Sequence, residues 1–159
     1  MELHLVEEIA DFLIKNEESI AVAESCTGGR LSAALTSING ASSWMKGSIT
    51  AYTEATKRGL LQLTDEELSR GLVTKACALG MVDAISKLTG SSYAISTTGV
   101  CGSESEGFLP CTAWIGLKTP HSTNAFLIEA PDKGRIKNME QVVEKALELM
   151  LERIREEAR

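Results

Sequence analysis

The stretch from residue 19 to residue 37 constrains the fold more than any other. A short apolar run, residues 19–24, stops at Cys26-Thr27-Gly28-Gly29 and gives way to small residues in a helical pattern over residues 30–37. That is a strand, a glycine turn and a helix in succession. Open α/β sheets built from such units bind ligands in the crevice beyond the carboxyl ends of their strands. Ala23-Glu24-Ser25-Cys26-Thr27-Gly28-Gly29 is therefore expected to border a crevice. Glycines let backbone approach a ligand closely, and the amides and dipole of a starting helix suit a phosphate or an oxyanion. The Gly-x-x-x-x-Gly-Lys-Ser/Thr phosphate loop is absent, and on spacing alone the two glycines read as shapers of a tight turn.

The rest of the chain extends this pattern. Leu5, Val6, Ile9, Phe12 and Leu13 recur at helical spacing, predicting an opening helix over residues 2–16. Asn39-Gly40 marks a turn, residues 48–52 read as a second strand, and a short helix is expected through residues 57–61. Thr64 with Glu67 has the spacing of a capping box, and Thr74 precedes a helical run over residues 75–88 that ends at Gly90. Residues 93–97 read as a third strand entering a glycine-rich loop, residues 99–107. Residues 113–117 and 125–128 read as two further strands joined by a turn containing Pro120. An apolar stripe from Ile136 to Ile154 marks a long C-terminal helix. Alternation first and consecutive strands last favour a mixed sheet of about five strands, covered by helices on both faces.

Size and charge limit what such a domain does. At 159 residues the chain suits one domain with one core. Sixteen basic residues against twenty-two acidic ones give a net charge of −6, which provides no diffuse positive field for nucleic acid. One phosphate needs only a few local donors, so a small phosphorylated ligand is compatible with that charge. No apolar run is long enough to cross a bilayer and the first residues do not read as a signal peptide, so a soluble cytoplasmic protein is expected, with no membrane partner. Cys26, Cys77, Cys101 and Cys111 form no Cys-x-x-Cys pair, and neither a zinc site nor any other metal site is expected.

Ser25 is one candidate nucleophile and Cys26, at the start of a helix, is its rival. The only histidines are His4, in the first turn of the opening helix, and His121, in the predicted hairpin turn. Neither suits a Ser/His/Asp triad, which leaves a lysine, a tyrosine or a carboxylate as base. A lysine serves when it is partly neutral, and bringing its pKa from about 10.4 to about 7 takes roughly 4 to 5 kcal/mol of environment, which burial can supply. Lys57 follows the second strand and could reach the crevice. Taken alone, though, a lysine there is expected in solvent, and Tyr52 is expected to be a core or edge aromatic.

Taken together these segments resemble the CinA C-terminal domain family. Its Ala-Glu-Ser-Cys-Thr-Gly-Gly signature stands at residues 23–29, followed by Gly40-Ala41-Ser42-Ser43-Trp44, by Ala51-Tyr52 with Lys57 at the spacing of the family's Tyr-Ser-x-x-x-Lys, and by Thr98-Gly99-Val100. The resemblance covers nearly the whole chain. It implies a three-layer α/β/α sandwich around a mixed, mostly parallel sheet, assembled as a homodimer or higher homo-oligomer. It also implies hydrolysis of the carboxamide of nicotinamide mononucleotide, a small phosphorylated nucleotide, to the acid and ammonia without cofactor or metal.

By resemblance Ser25 is the nucleophile, Lys57 the general base and Tyr52 an aid to proton transfer or an orienter of the lysine. Thr27, Gly28, Gly29, Thr98, Gly99 and Arg135 are the expected substrate-binding residues. Arg135 would take the phosphate as a planar fork, Thr98 would also hold the site in shape, and the amides after Ser25 would form the oxyanion hole. Many family members carry an additional N-terminal pyrophosphatase domain; here only the amidase unit is expected. The family's Gly-Ile-Ala-Gly-Pro-x-Gly-Gly loop differs in this chain, where residues 99–107 lack the proline and include Glu104 and Glu106. Such acidic residues repel a phosphate if they face the pocket and matter little on a solvated loop. The departure keeps open a nucleotide-binding or regulatory module without turnover, or an interaction subunit using the C-terminal helix.

Overall fold

The computed structural model describes residues 3–158. Five strands form one mixed sheet: β1 (Ile20–Glu24), β2 (Met45–Thr50), β3 (Tyr93–Val100), β4 (Thr112–Lys118) and β5 (Thr123–Glu129), in the order β2-β1-β3-β4-β5. β1 lies parallel to both β2 and β3, whereas β4 runs antiparallel to β3 and to β5. Parallel pairing is thus confined to one half of the sheet. The β4–β5 connection is the expected hairpin.

Helices α1 (Leu3–Lys15), α2 (Arg30–Leu35) and α6 (Arg135–Glu157) cover one face; α3 (Glu54–Gly59), α4 (Asp65–Leu68) and α5 (Lys75–Thr89) belong to the other. The alternation along β1 explains how two layers fit. Ile20 and Val22 enter the core containing Ile9, Leu13, Val142, Leu147 and Met150, while Ala21 and Ala23 point to the opposite core under Met81, Val82 and Ile85. The α5 side of the sheet is built from small residues, so the helix approaches closely: Ser96 donates to the Ala78 carbonyl at 2.6 Å.

Local signals set several boundaries. Thr64 and Glu67 form the reciprocal capping box, and the Thr74 hydroxyl caps α5, which stops at left-handed Gly90. The second strand starts and ends earlier than its composition suggested, at Met45 and Thr50, because Thr53 caps α3 with its side chain. Lys57 therefore lies on the last turn of a helix that begins before it, rather than at a helix start.

The chain leaves β1 for β2 on one side and later returns to β3 on the other. The strand order reverses between β1 and β3, where open sheets form their ligand crevice. Ser25 directly follows β1, and Thr97, Thr98 and Gly99 lie in the last half of β3. Gly99, expected in a loop, pairs with Ala113 inside the sheet.

Candidate active site

Glu24, at the end of β1, is completely buried and organises the turn after it. Its carboxylate accepts hydrogen bonds from the Thr27 hydroxyl at 2.5 Å and from the amides of Leu31 and Ser32, each at 2.9 Å. It thereby caps α2, whose N-cap Gly29 has no side chain to do so. Gly28 and Gly29 have φ of 60° and 96°, a left-handed pair that folds the chain back under this carboxylate.

The direction of the neighbouring hydroxyls follows from that anion. Thr27 must donate to Glu24, so its oxygen accepts from the Thr97 hydroxyl, 2.8 Å away. Thr97 in turn accepts a long bond, 3.4 Å, from the Ser25 amide. Glu24, Thr27 and Thr97 thus hold the backbone at Ser25 between two strands.

Lys57 is fully buried, contrary to the expectation of a solvated helix lysine, and Ser25 is 7% exposed. The lysine Nζ lies 2.8 Å from Ser25 Oγ, 2.8 Å from the Ala51 carbonyl and 3.4 Å from the Tyr52 carbonyl. Burial lowers the pKa of this amine, while Cys77, Cys26 and Glu106 pull it upward. Two of its directions are taken by backbone carbonyls, which can only accept. The third faces the serine, so a neutral amine would turn its lone pair there.

Cys26 is also buried, and its thiol is raised well above the ordinary value, first by its contact with Cys101 and then by burial. It is held as a protonated thiol, unlike a reactive thiolate. Cys77, behind Lys57, is pushed up to about 11 by burial. Neither histidine lines the cavity that contains Ser25.

That cavity has a volume of about 430 Å³ and is bordered by Ser25, Tyr52, Thr98, Gly99, Arg135 and the loop from Val100 onward, with Leu72, Val73 and Glu106 on one wall. Arg135, the first residue of α6, donates to the Tyr52 hydroxyl at 2.7 Å. Tyr52 meets Lys57 through its carbonyl and Arg135 through its phenol. The Thr98 hydroxyl donates to the Leu72 carbonyl at 2.7 Å, which fastens that wall.

Thr27, Gly28 and Gly29 do not border this cavity; Thr27 is buried with its hydroxyl turned inward, and the glycines shape the turn. Sequence reasoning gave no role to Glu24, Thr97 or Asn138. Asn138 is buried one turn into α6, where it donates to the Cys101 carbonyl at 2.9 Å and accepts from the Lys133 amide at 2.8 Å, tying the cavity loop to the start of the helix that carries Arg135. Glu24 stood in view within the signature; the others become visible only when distant segments meet. Among the described residues no group of three His, Cys, Asp or Glu side chains could hold a metal ion, and no helix is long and apolar enough to cross a membrane.

Fold and site together define an open-sheet α/β protein with a buried serine–lysine pair where its strand order reverses. The chain belongs to the CinA family: the model of the CinA C-terminal domain matches residues 2–154. A competence-damage inducible protein of Bacillus pumilus is 42% identical over 127 residues, which are 79% of this chain and 30% of that relative. Its counterpart in Listeria monocytogenes serovar 1/2a is 37% identical over 128 residues, 79% of this chain and 31% of the relative. The chain therefore spans about a third of the length of these relatives.

Solved structures agree on the fold. The competence damage-inducible protein A of Klebsiella pneumoniae subsp. pneumoniae is 28% identical with a TM-score of 0.89, the match covering 94% of each chain. A CinA superfamily protein from Klebsiella pneumoniae 700603 is 26% identical with a TM-score of 0.91, covering 97% of this chain and 98% of the other.

Proposed function

We propose that this chain hydrolyses the carboxamide of nicotinamide mononucleotide, with Ser25 as nucleophile and Lys57 as general base. The observation that carries the reading is the 2.8 Å separation of Lys57 Nζ from Ser25 Oγ, with the amine buried and its pKa lowered. A serine needs such a partner to attack an amide at neutral pH, and a desolvated lysine is an attested one.

In the proposed reaction Ser25 Oγ attacks the carboxamide carbon as its proton passes to Lys57. The tetrahedral oxyanion requires donors. The Ser25 amide is turned to Thr97, the Gly28 amide to the Ser25 carbonyl, and Thr27 lies outside the cavity, so the amide of Cys26, which borders it, is the candidate. Lys57 then returns the proton to the departing nitrogen, which leaves as ammonia, and the acyl group stays on Ser25. Water, deprotonated by the same amine, attacks the ester, releasing the carboxylic acid and restoring the hydroxyl. Arg135 at the cavity mouth would receive the phosphate.

Incubation of the protein with nicotinamide mononucleotide, with ammonia and nicotinate mononucleotide as readouts, tests the proposal. Formation of both in equal amounts is expected. Tight nucleotide binding by calorimetry with no product from neutral to alkaline pH would replace the enzyme by a binding module.

A further inference from the structure

The loop that departs from the family pattern ends in a tight hairpin. Ser105 and Phe108 exchange backbone hydrogen bonds of 3.2 and 2.8 Å, and the two residues between them, Glu106 and Gly107, have φ of 51° and 81°. Two central residues of positive φ are the mark of a type I′ turn. Glycine is at ease there; glutamate is not, and its placement needs a compensating interaction.

That interaction crosses the cavity wall. One Glu106 carboxylate oxygen accepts from the Leu72 amide and the other from the Val73 amide, both at 3.1 Å. The carboxylate lies so close to Gly71, whose φ is 106°, that a Cβ added there would stand 2.9 Å from Oε1. The carbonyl of Leu72 is meanwhile held by Thr98. Both polar groups of Leu72 are thus fixed from outside its own segment, and Leu72 and Val73 border the same cavity as Ser25. Glu104, two residues earlier, does not border it.

We propose that Glu106 is a positioning residue, a latch that pins residues 71–73 as one wall of the Ser25 cavity. The proposal rests on the amidase reading for its kinetic consequence, but the latch itself is independent of it. Both oxygens of this acidic residue are engaged by amides, so its carboxylate is held at the wall rather than free to swing into the cavity. Its charge also acts on Lys57, whose pKa is lowered by burial and raised in turn by Cys77, Cys26 and Glu106.

Amide hydrogen exchange read at Leu72 and Val73 tests the latch without substrate. In Glu106→Ala these two amides should exchange at least about tenfold faster than in the natural protein. Core amides of β1 and β3 should stay protected, showing that the fold persists, and Glu104→Ala should change nothing. With nicotinamide mononucleotide, Glu106→Ala should raise KM by about tenfold with kcat within about threefold. Glu106→Gln should move the rising limb of the pH–rate profile to lower pH, a change that loss of shape alone would not produce. Unaltered exchange at Leu72 and Val73, or faster exchange with unchanged kinetics and pH profile, overturns the proposal. No turnover by the natural protein would instead overturn the amidase reading, and the exchange rates would still decide the latch.

Discussion

The Tyr52 hydroxyl accepts a 2.7 Å hydrogen bond from Arg135, while it is the carbonyl of the same residue that meets Lys57. On this geometry we propose that the side chain steadies Arg135 as the phosphate ligand, with proton transfer by the phenol as the alternative the variant decides. Tyr52→Phe removes that bond and leaves the carbonyl. Its KM for nicotinamide mononucleotide should rise about three- to tenfold, the worth of one hydrogen bond, with kcat nearly unchanged. A collapse of kcat at unchanged KM would return the phenol to the proton path.

The serine–lysine pair makes a different prediction about rate. Ser25→Ala and Lys57→Ala should each lower kcat by at least about a thousandfold. Cys26→Ala should stay within about tenfold, since its thiol is raised well above the ordinary value and held protonated. In the proposed mechanism the free amine is the active form, and burial lowers its pKa from the ordinary 10.5, so kcat/KM should climb with unit slope and level off short of that pH. A plateau reached only above it would mean that burial does not tune Lys57.

Much of this arrangement was legible in local sequence because local chemistry fixes it. Thr64 with Glu67 and Thr74 with Gly90 mark helix ends through bonds within one turn, and the structure has them so. Lys57 was misread as solvated because its burial depends on segments 32 residues apart meeting at Ser25. Thr53 could have corrected the boundary before it, as a hydroxyl at an N-cap does for Thr64. The strand character of Gly99 was hidden by the glycine itself, which is tolerated there because β4 packs close against it. Glu106 could not be read at all, since its carboxylate finds its amides across more than thirty residues.

Glu24 should behave as a buried structural anion. Glu24→Gln keeps the shape but sets an NH2 group against amide or hydroxyl donors that now meet a carboxylate oxygen. A buried donor without an acceptor costs about 1–3 kcal/mol. The urea midpoint should fall accordingly, and kcat should fall with it, because Thr27 and Thr97 lose the partner that orients them towards the Ser25 amide. Unchanged stability would show that the carboxylate does not organise the turn.

Lys57 also links stability to pH with a definite sign. Its folded-state pKa is lowered, so between that value and the ordinary 10.5 the unfolded chain binds more protons than the folded one. In that window the natural protein gains stability as pH rises; below it the full cost of burying the ammonium stands. Lys57→Met removes the charge and keeps the apolar length, so it should be more stable than the natural protein at low pH. The difference between their urea midpoints should then narrow steadily as pH approaches 10.5. A difference that stays constant with pH would mean that the lysine titrates alike in both states, and the site would lose the free amine on which the proposed attack by Ser25 depends.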